Sequence, residues 1–372
     1  MTERARALAL LRRIERESLF ASLVLAGETG FVRTLVLGVL RWRSRLDFVI
    51  EALAKRSIEP EILDVLRLGA YQLLYMDVAQ YAAVGETVEL APKRARGFVN
   101  AILRRMSRGD VPEPRDLTTR TAHPAWLIDR WTRFYGAERA AKIAEANQEM
   151  SYPDVLALTD EAPPDAVPST LAEHVFKLRG SSAELDRAKF WPMDEGSAVI
   201  ASIAASLGSE VLDLAAAPGS KTLYMRRAGV RVVSNDISIT RLLPLARYGA
   251  DMVVSDARRP PFKTTFDVVL VDAPCSATGI IRKNPEIKWR LRESDLAGFA
   301  ALQSEMIAAA LSLSKKYVVY STCSLETEEN DDVVAASGAR VVPIDRPWTE
   351  NGILRLTPES GADGFTAHVL LV

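Results

Sequence analysis

The sequence predicts an α/β protein in three parts. These are an all-α domain over residues 1–120, a small α/β subdomain over 121–195, and a doubly wound, mostly parallel sheet over 196–372. Apolar residues recur at helical spacing through the first 108 residues, and strands alternate with helices from about Gly196. A chain of 372 residues is also too long for one average domain.

The first part is predicted to be helical because its apolar residues lie three or four positions apart, as in the stretches 7–14, 35–40 and 62–74. Residues 1–110 carry 18 Lys and Arg against 13 Asp and Glu, a net charge of +5, although the whole chain carries only −1. A basic head on an acidic body fits a nucleic-acid-binding module. A solvated helical surface would explain the same charges.

A polar, proline-bearing stretch at 109–124 breaks the helical pattern and indicates a linker. After it we expect helices at 126–134 and 137–147, a strand at 155–158 and a loop at 160–170. The sheet is expected to use the strands Val211–Leu214, Arg231–Asn235, Met252–Ser255, Val268–Asp272 and Tyr317–Tyr320, the further runs Arg340–Ile344, Ile353–Leu356 and Phe365–Val372, and a long helix at Ser294–Ser314.

A small-residue turn, DLAAAPGSKT (213–222), follows the first strand of the sheet. Such a turn lets the backbone approach a ligand closely and points helix N-terminal amides toward it. It is neither GxGxxG nor a P-loop, so pyrophosphate binding is weakly supported. Taken alone, Pro218-Gly219 could be only a tight turn between strand and helix.

Carboxylates at four successive strand ends favour a ligand site over a plain turn. An acidic side chain at the end of the second strand can accept hydrogen bonds from ribose hydroxyls, and the next one suits an adenine amino group. Such an acidic crevice suits a nucleoside that carries a positive charge, so S-adenosylmethionine fits and NAD does not. The four residues are Asp213, Asp236, Asp256 and Asp272.

Both cysteines of the chain follow predicted strands, Cys275 in DAPCSATG and Cys323 in YSTCSLE. A lone buried cysteine is most often a small hydrophobic residue. Two thiols delivered to one edge of a parallel sheet instead predict paired covalent catalysis. Without CxxC spacing they form neither a disulfide scaffold nor a zinc site. No signal peptide or apolar stretch long enough to span a bilayer is expected, and a reducing cytoplasm is.

Together these motifs resemble the ordered motifs of the Sun/RsmB family of RNA 5-methylcytosine methyltransferases. The resemblance covers nearly the whole chain. It rests on FVNAILRRM (98–106), HPAWLIDRW (123–131), DLAAAPGSKT, NDIS, SDAR, DAPCSATG, YSTCSLETEEN and DGFTAHVLLV (363–372).

The resemblance implies a NusB-like RNA-binding domain at 1–120 and a class I Rossmann-like methyltransferase domain with a seven-stranded sheet. The reaction would carry a methyl group from S-adenosylmethionine to carbon 5 of a cytosine in RNA, with 16S rRNA the favoured substrate. Cys323 would attack carbon 6 and Cys275 would assist product release. Asp272 would also touch the base, and Lys221 would supply a cation. The implied cofactor contacts are Ala215, Ala216, Ala217, Pro218, Gly219, Ser220, Lys221, Asp236, Asp256 and Asp272.

Three residues depart from the family pattern. Ala215 and Ser220 replace Cys and Gly in the usual CAAPGGKT, and Ala277 replaces Gly in DAPCSGTG. None removes a reacting group. Ser220 would crowd the cofactor loop if its φ were positive.

A basic segment with one tryptophan follows the first cysteine motif. It predicts a clamp for phosphates and a stacked base, although a solvated basic loop is the plainer alternative. The target cytosine must leave its stack before carbon 6 can be reached. The expected RNA contacts are Arg282, Lys283, Lys288, Trp289 and Arg290.

Other functions remain open at this level. The same chemistry could act on tRNA, or the chain could be a non-catalytic, antitermination-like RNA-binding factor. A serine hydrolase is poorly supported because GxSxG is missing. We expect a monomer that acts on unstructured or partly assembled RNA without a metal or a membrane.

Overall fold

The computed structural model describes residues 1–180, 182 and 185–372. Positions 181, 183 and 184, which belong to the expected 121–195 subdomain, lie outside the described residues. The chain forms two compact units. The helical unit comprises Met1–Glu149 and Ile281–Leu291, and the sheet unit comprises Met150–Ile280 and Arg292–Val372. This division differs from the expected three parts, because 121–149 folds with the helices and 150–195 with the sheet.

The first 149 residues are helical, as their apolar spacing predicts. Thr2 begins the first helix with a hydroxyl that accepts a hydrogen bond from the Ala5 amide at 3.2 Å. The supposed linker at 109–124 contains a short helix of its own, so it is not wholly irregular. The helices are α1 (Glu3–Glu17), α2 (Ala21–Val24), α3 (Gly30–Ala54), α4 (Pro60–Tyr75), α5 (Gln80–Leu90), α6 (Arg96–Ser107), α7 (Leu117–Arg120), α8 (Ala125–Tyr135) and α9 (Ala137–Ala146).

From residue 150 onward, strands and helices alternate. The helices are α10 (Glu195–Leu207), α11 (Ser220–Arg227), α12 (Ile239–Leu242), α13 (Ile287–Arg290), α14 (Leu296–Leu313) and α15 (Asp331–Ala336). The strands are β1 (Asp154–Ala157), β2 (Val167–Pro168), β3 (Val175–Lys177), β4 (Phe190–Pro192), β5 (Glu210–Asp213), β6 (Arg231–Asp236), β7 (Asp251–Val254), β8 (Phe266–Asp272), β9 (Ser314–Thr322), β10 (Arg340–Val342), β11 (Thr349–Glu350), β12 (Ile353–Leu356) and β13 (Phe365–Leu371).

The main sheet has the order β11-β12-β13-β9-β8-β5-β6-β7, with β10 paired to β13. Strands β9, β8, β5, β6 and β7 are parallel, with β7 at the edge of the sheet, and β13 joins antiparallel to β9. The doubly wound sheet is therefore confirmed. The resemblance implied seven strands, and among the described residues the sheet counts nine. The sequence also predicted β10, whereas the two-residue β11 was not predicted. Strands β2-β3-β1-β4 form a separate antiparallel sheet.

The helix α14 covers one face of the main sheet. Its buried residues Gln303, Met306, Ile307 and Ala310 recur at helical spacing, and the helix packs against β8 and β9. Glu293–Leu313 is nevertheless apolar and long enough to cross a bilayer, with a mean hydropathy of 1.5. The expectation that no stretch reaches this length was therefore wrong, although a helix that packs on a sheet passes the same test.

Candidate active site

The two cysteines meet at the carboxyl edge of the parallel sheet. Strands β8 and β9 are parallel neighbours, and Asp272 pairs in register with Ser321 near their ends. Each strand then enters a loop that carries one cysteine. The sulfur atoms of Cys275 and Cys323 lie 3.4 Å apart. Both thiols are reduced and partly exposed, so a reacting group can reach them.

The contact between the two thiols affects the pKa of Cys275. The hydrogen bond with Cys323 raises the pKa of the Cys275 thiol well above its usual range, and burial raises it further. Cys275 therefore stays protonated at neutral pH. A protonated Cys275 can donate to a thiolate on Cys323 or return a proton to a departing group, but it is a poor nucleophile.

Beside the thiols, Asp272 and Lys221 form an ion pair. The Lys221 ammonium donates to Asp272 Oδ2 and to Ser197 Oγ, both at 2.6 Å. Ser321 donates to the other carboxylate oxygen at 3.0 Å. The lysine also lies 5.9 Å from the centre of the Phe365 ring. Asp272 is thus fixed through both oxygens, which suits a group that must meet a base in one orientation.

The loop after Cys275 is held by a close backbone approach at Gly279. Its amide donates to Cys323 O at 2.9 Å, and its carbonyl accepts from the Gly364 amide at 2.7 Å. A Cβ here would lie 2.3 Å from Gly364 O, so only glycine fits. Ala277, one of the departures from the family pattern, has a φ of 61°. This left-handed conformation costs a non-glycine residue about 1–2 kcal/mol.

At the end of β5, Asp213 is wholly buried. Burial raises the pKa of Asp213 to about 7, and the charges of Asp272 and Asp236 also raise it, against Thr222 and Lys221, which lower it. Among the described residues its Oδ1 has no hydrogen-bond partner. Carboxylates that raise one another's pKa are stabilised by an added cation. This crevice therefore fits the sulfonium of the predicted S-adenosylmethionine.

The turn before α11 has the shape that the sequence suggested. The positive φ of 109° belongs to Gly219, where a Cβ would lie 2.3 Å from the Leu245 side chain. Ser220 is the first residue of α11, so the expected crowding does not arise. Its hydroxyl accepts from Trp191 Nε1 at 3.1 Å and donates to Pro192 O at 3.0 Å, which ties the turn to β4.

Two other residues of the implied cofactor site, Asp236 and Asp256, already have hydrogen-bond partners within the protein. Asp236 Oδ2 accepts a hydrogen bond from the Ala217 amide at 3.1 Å, and Oδ1 accepts one from the Ser238 amide at 2.9 Å. Asp256 pairs with Arg258 at 2.7 Å, and this hydrogen bond lowers the pKa of Asp256 to about 2. Asp256 therefore adds little net charge to the crevice.

The predicted RNA clamp is placed differently from the expectation. Residues 281–291 belong to the helical unit. Lys288 is 2% exposed, and its ammonium donates to the carbonyls of Arg41 at 2.8 Å and Ala122 at 2.7 Å. Trp289 donates to Leu40 O at 2.6 Å, and Arg282 is buried as well. Lys283, Trp289 and Arg290 are each partly buried, so the five residues do not form one solvent-facing clamp.

Sequence reasoning assigned no role to several residues around the thiols. Ser197 and Ser321 hold Lys221 and Asp272, and Glu329 and Gln303 lie behind the cysteine loops. Glu329 belongs to YSTCSLETEEN, one of the motifs on which the family resemblance rests. Polar residues within an apolar helix, such as Gln303 in α14, are the signal that could have identified the others.

Comparison with known proteins agrees with this architecture. Residues 202–352 match the family described as 16S rRNA methyltransferase RsmB/F, and residues 1–108 match the NusB family. Ribosomal RNA small subunit methyltransferase B of Cronobacter sakazakii is 30% identical over 91% of this chain and 89% of its own length. The protein of the same name from Shigella flexneri serotype 5b is 35% identical over 82% and 80%.

The chain belongs to the RsmB/F family. The fold agrees with this assignment, since the crystal structure of PH0851 matches with a TM-score of 0.78 over 100% of this chain and 99% of the other, at 21% identity. The RsmB/F match spans β5 to β9, where the two thiols, the ion pair and the acidic crevice lie. The resemblance noted from the motifs is confirmed, as are the helical NusB domain and the methyltransferase fold.

Proposed function

We propose that this protein methylates carbon 5 of a cytosine in RNA, with 16S rRNA as the substrate, through a covalent bond between Cys323 and carbon 6. One observation carries the proposal: two thiols from adjacent parallel strands lie 3.4 Å apart beside a fixed carboxylate. S-adenosylmethionine, when bound in the acidic crevice, supplies the methyl group. The relatives named for small-subunit rRNA support the choice of substrate.

Cys323, Asp272 and Lys221 have distinct roles in the proposed addition to carbon 6. A thiolate on Cys323 adds to carbon 6, which makes carbon 5 nucleophilic. We infer that Asp272, held by Lys221 and Ser321, orients the base, and that in its protonated form it donates to the ring nitrogen as negative charge develops there. We infer that Lys221, whose ammonium donates to Asp272 at 2.6 Å, acts through this carboxylate rather than as the cation beside the nucleophile.

Cys275 suits the second half of the reaction. Once carbon 5 carries the methyl group, its proton must pass to a base such as water before Cys323 is eliminated as a thiolate, to which a protonated Cys275 can return a proton. The Cys275 sulfur lies 3.4 Å from the Cys323 sulfur that would bond carbon 6. We infer that it assists release, and that the enzyme works in the cytoplasm, where thiol pools keep the two cysteines reduced.

The test is methylation by the purified protein with labelled S-adenosylmethionine and 16S rRNA. We expect 5-methylcytosine in the digested RNA. Cys323→Ala should lose at least 1000-fold in turnover, and Cys275→Ala should accumulate a protein–RNA adduct that survives denaturation. An adduct in Cys323→Ala in place of Cys275→Ala would mean that the two roles are exchanged.

Two other functions have distinct outcomes in the same experiment. Label in tRNA but not in 16S rRNA would identify tRNA as the substrate. Unchanged RNA affinity without any methyl transfer in the wild-type protein would favour a non-catalytic binding factor. Label on an atom other than carbon 5 would refute the proposed chemistry.

A further inference from the structure

A buried carboxylate lies directly behind the two cysteine loops. Glu329 is 0% exposed and ends the short turn Thr327–Glu329 that follows β9. Burying a carboxylate is costly unless its oxygens are fully hydrogen-bonded. The partners of Glu329 therefore indicate what the protein gains from placing it there.

Those partners are the two serines that follow the two cysteines. Glu329 Oε1 accepts the Ser276 amide at 2.8 Å. Its Oε2 accepts the hydroxyl of Ser276 and, at 2.5 Å, the hydroxyl of Ser324. The two serine oxygens lie 3.0 Å from each other. One side chain thus binds the residue after Cys275 and the residue after Cys323.

A third element joins the same group. Gln303 on α14 donates to Glu329 Oε1 at 3.1 Å and to the Pro274 carbonyl at 2.9 Å. Pro274 immediately precedes Cys275, so the first cysteine is held on both sides. The carboxylate receives four donors, which matches the capacity of an ionised Glu.

We propose that Glu329 is a positioning residue that sets the distance between the Cys275 and Cys323 thiols by clamping the serines that follow them. The inference rests on the proposed function, since only a reaction that uses both sulfurs on one ring needs their separation fixed. Glu329 does not touch the substrate. Without it the two loops lose their shared acceptor and can move apart.

The separation of the thiols can be measured without RNA or S-adenosylmethionine. Diamide takes two electrons and two protons from a thiol pair and leaves a disulfide, which forms quickly only when the sulfurs can close from 3.4 Å to about 2 Å. We expect rapid closure in the wild-type protein and at least tenfold slower closure in Glu329→Ala. Glu328→Ala, a neighbouring and half-exposed position, is the matched control and should close at the wild-type rate.

Glu329→Gln separates geometry from charge. Its amide oxygen can replace Oε1, and its amide nitrogen can donate to the two serine hydroxyls, which can turn to accept. Gln and Ala both remove the negative charge, so they change the thiol pKa in the same direction. The positioning role is supported if the disulfide closes in Glu329→Gln at a rate within threefold of wild type and in Glu329→Ala at least tenfold more slowly. Equal rates in Ala and wild type would overturn it.

The two proposals can fail separately. Rapid closure in the wild type, slow closure in Glu329→Ala and no 5-methylcytosine formation would refute the proposed function and leave the clamp standing. Should Glu329→Ala not fold, Ser276→Ala/Ser324→Ala removes two hydroxyl donors and keeps the carboxylate. Slower closure in this double variant supports the clamp, and closure at the wild-type rate contradicts it.

Discussion

At the scale of one residue, the burial of Asp213 gives the crevice a carboxyl group with a raised pKa. Its pKa rises from 3.8 to about 7 on folding, chiefly through burial. A carboxyl whose folded pKa is raised contributes stability below pH 3.8 that is lost as the pH rises through 7. A shift of about three units corresponds to roughly 4 kcal/mol at most.

Asp213→Asn removes this titration and should flatten part of the pH dependence. Asn can still accept from Thr222, which donates to Asp213 Oδ2 at 2.7 Å. Between pH 4 and 8 the free energy of unfolding of the wild type should fall relative to that of Asp213→Asn. Urea denaturation of both proteins across this range measures the difference, and parallel curves would contradict the assigned pKa.

At the same scale, sequence reasoning predicted which side chains lie at the sheet edge better than it predicted which charged side chains are buried. Cys275, Cys323 and Asp272 were predicted because strand ends share one edge of a parallel sheet, and Lys221 was predicted as the nearby cation in DLAAAPGSKT. The burial of Lys288 was not predicted, since a basic run normally faces solvent. Its carbonyl partners lie more than 160 positions earlier in the chain, and only the folded structure brings them together.

At the scale of elements, the parallel strands were predicted well and the short ones were not. Strands β5, β6 and β8 each contain a short apolar run, and their bounds fall within two residues of the expected ones. Strands β2 and β11 have two residues each and carry no pattern to detect. The element α13 was taken for part of an exposed loop, although it packs with the helical unit.

Lys288 on α13 carries a testable consequence for stability. Burial lowers the pKa of Lys288 well below its usual range, and the Arg41 charge lowers it further. Lys288→Met leaves the Arg41 and Ala122 carbonyls without this donor, at a cost of about 1–3 kcal/mol for each buried group. We expect a lower melting temperature, with Lys93→Met, an exposed lysine of the helical unit, as control.

The pH dependence gives a second readout for Lys288. Because its folded pKa is depressed, the wild type should gain stability as the pH rises toward 10.5, its ordinary value. Lys288→Met should lack this gain. A gain of equal size in both proteins would contradict the burial of a titrating lysine.

At the scale of the whole molecule, charge is divided between the ends of the chain. Residues 1–110 carry +5 and the remainder −6. Arg104 and Arg108 are exposed and lie four positions apart, Arg104 on α6 and Arg108 as the residue that caps it. An exposed basic face of this kind binds phosphates without reading bases.

Arg104→Glu/Arg108→Glu should therefore raise the KM for RNA and leave kcat unchanged. Loss of two phosphate contacts makes the negative slope of log affinity against log salt concentration less steep, by about 1.4 for single strands. Arg13→Glu/Arg16→Glu, an equal change of charge on exposed α1 residues, is the control. Equal effects of the two double variants would show that net charge acts and that the α6 face does not.

The insertion of residues 281–291 into the helical unit affects how the gene can be divided. A fragment ending at Glu149 would lack the lysine and the tryptophan that complete the interior of its own fold. Exchanging the first 149 residues for those of a distant relative would likewise leave the native segment 281–291 packed against foreign helices. In evolution, the two units are therefore expected to be inherited together.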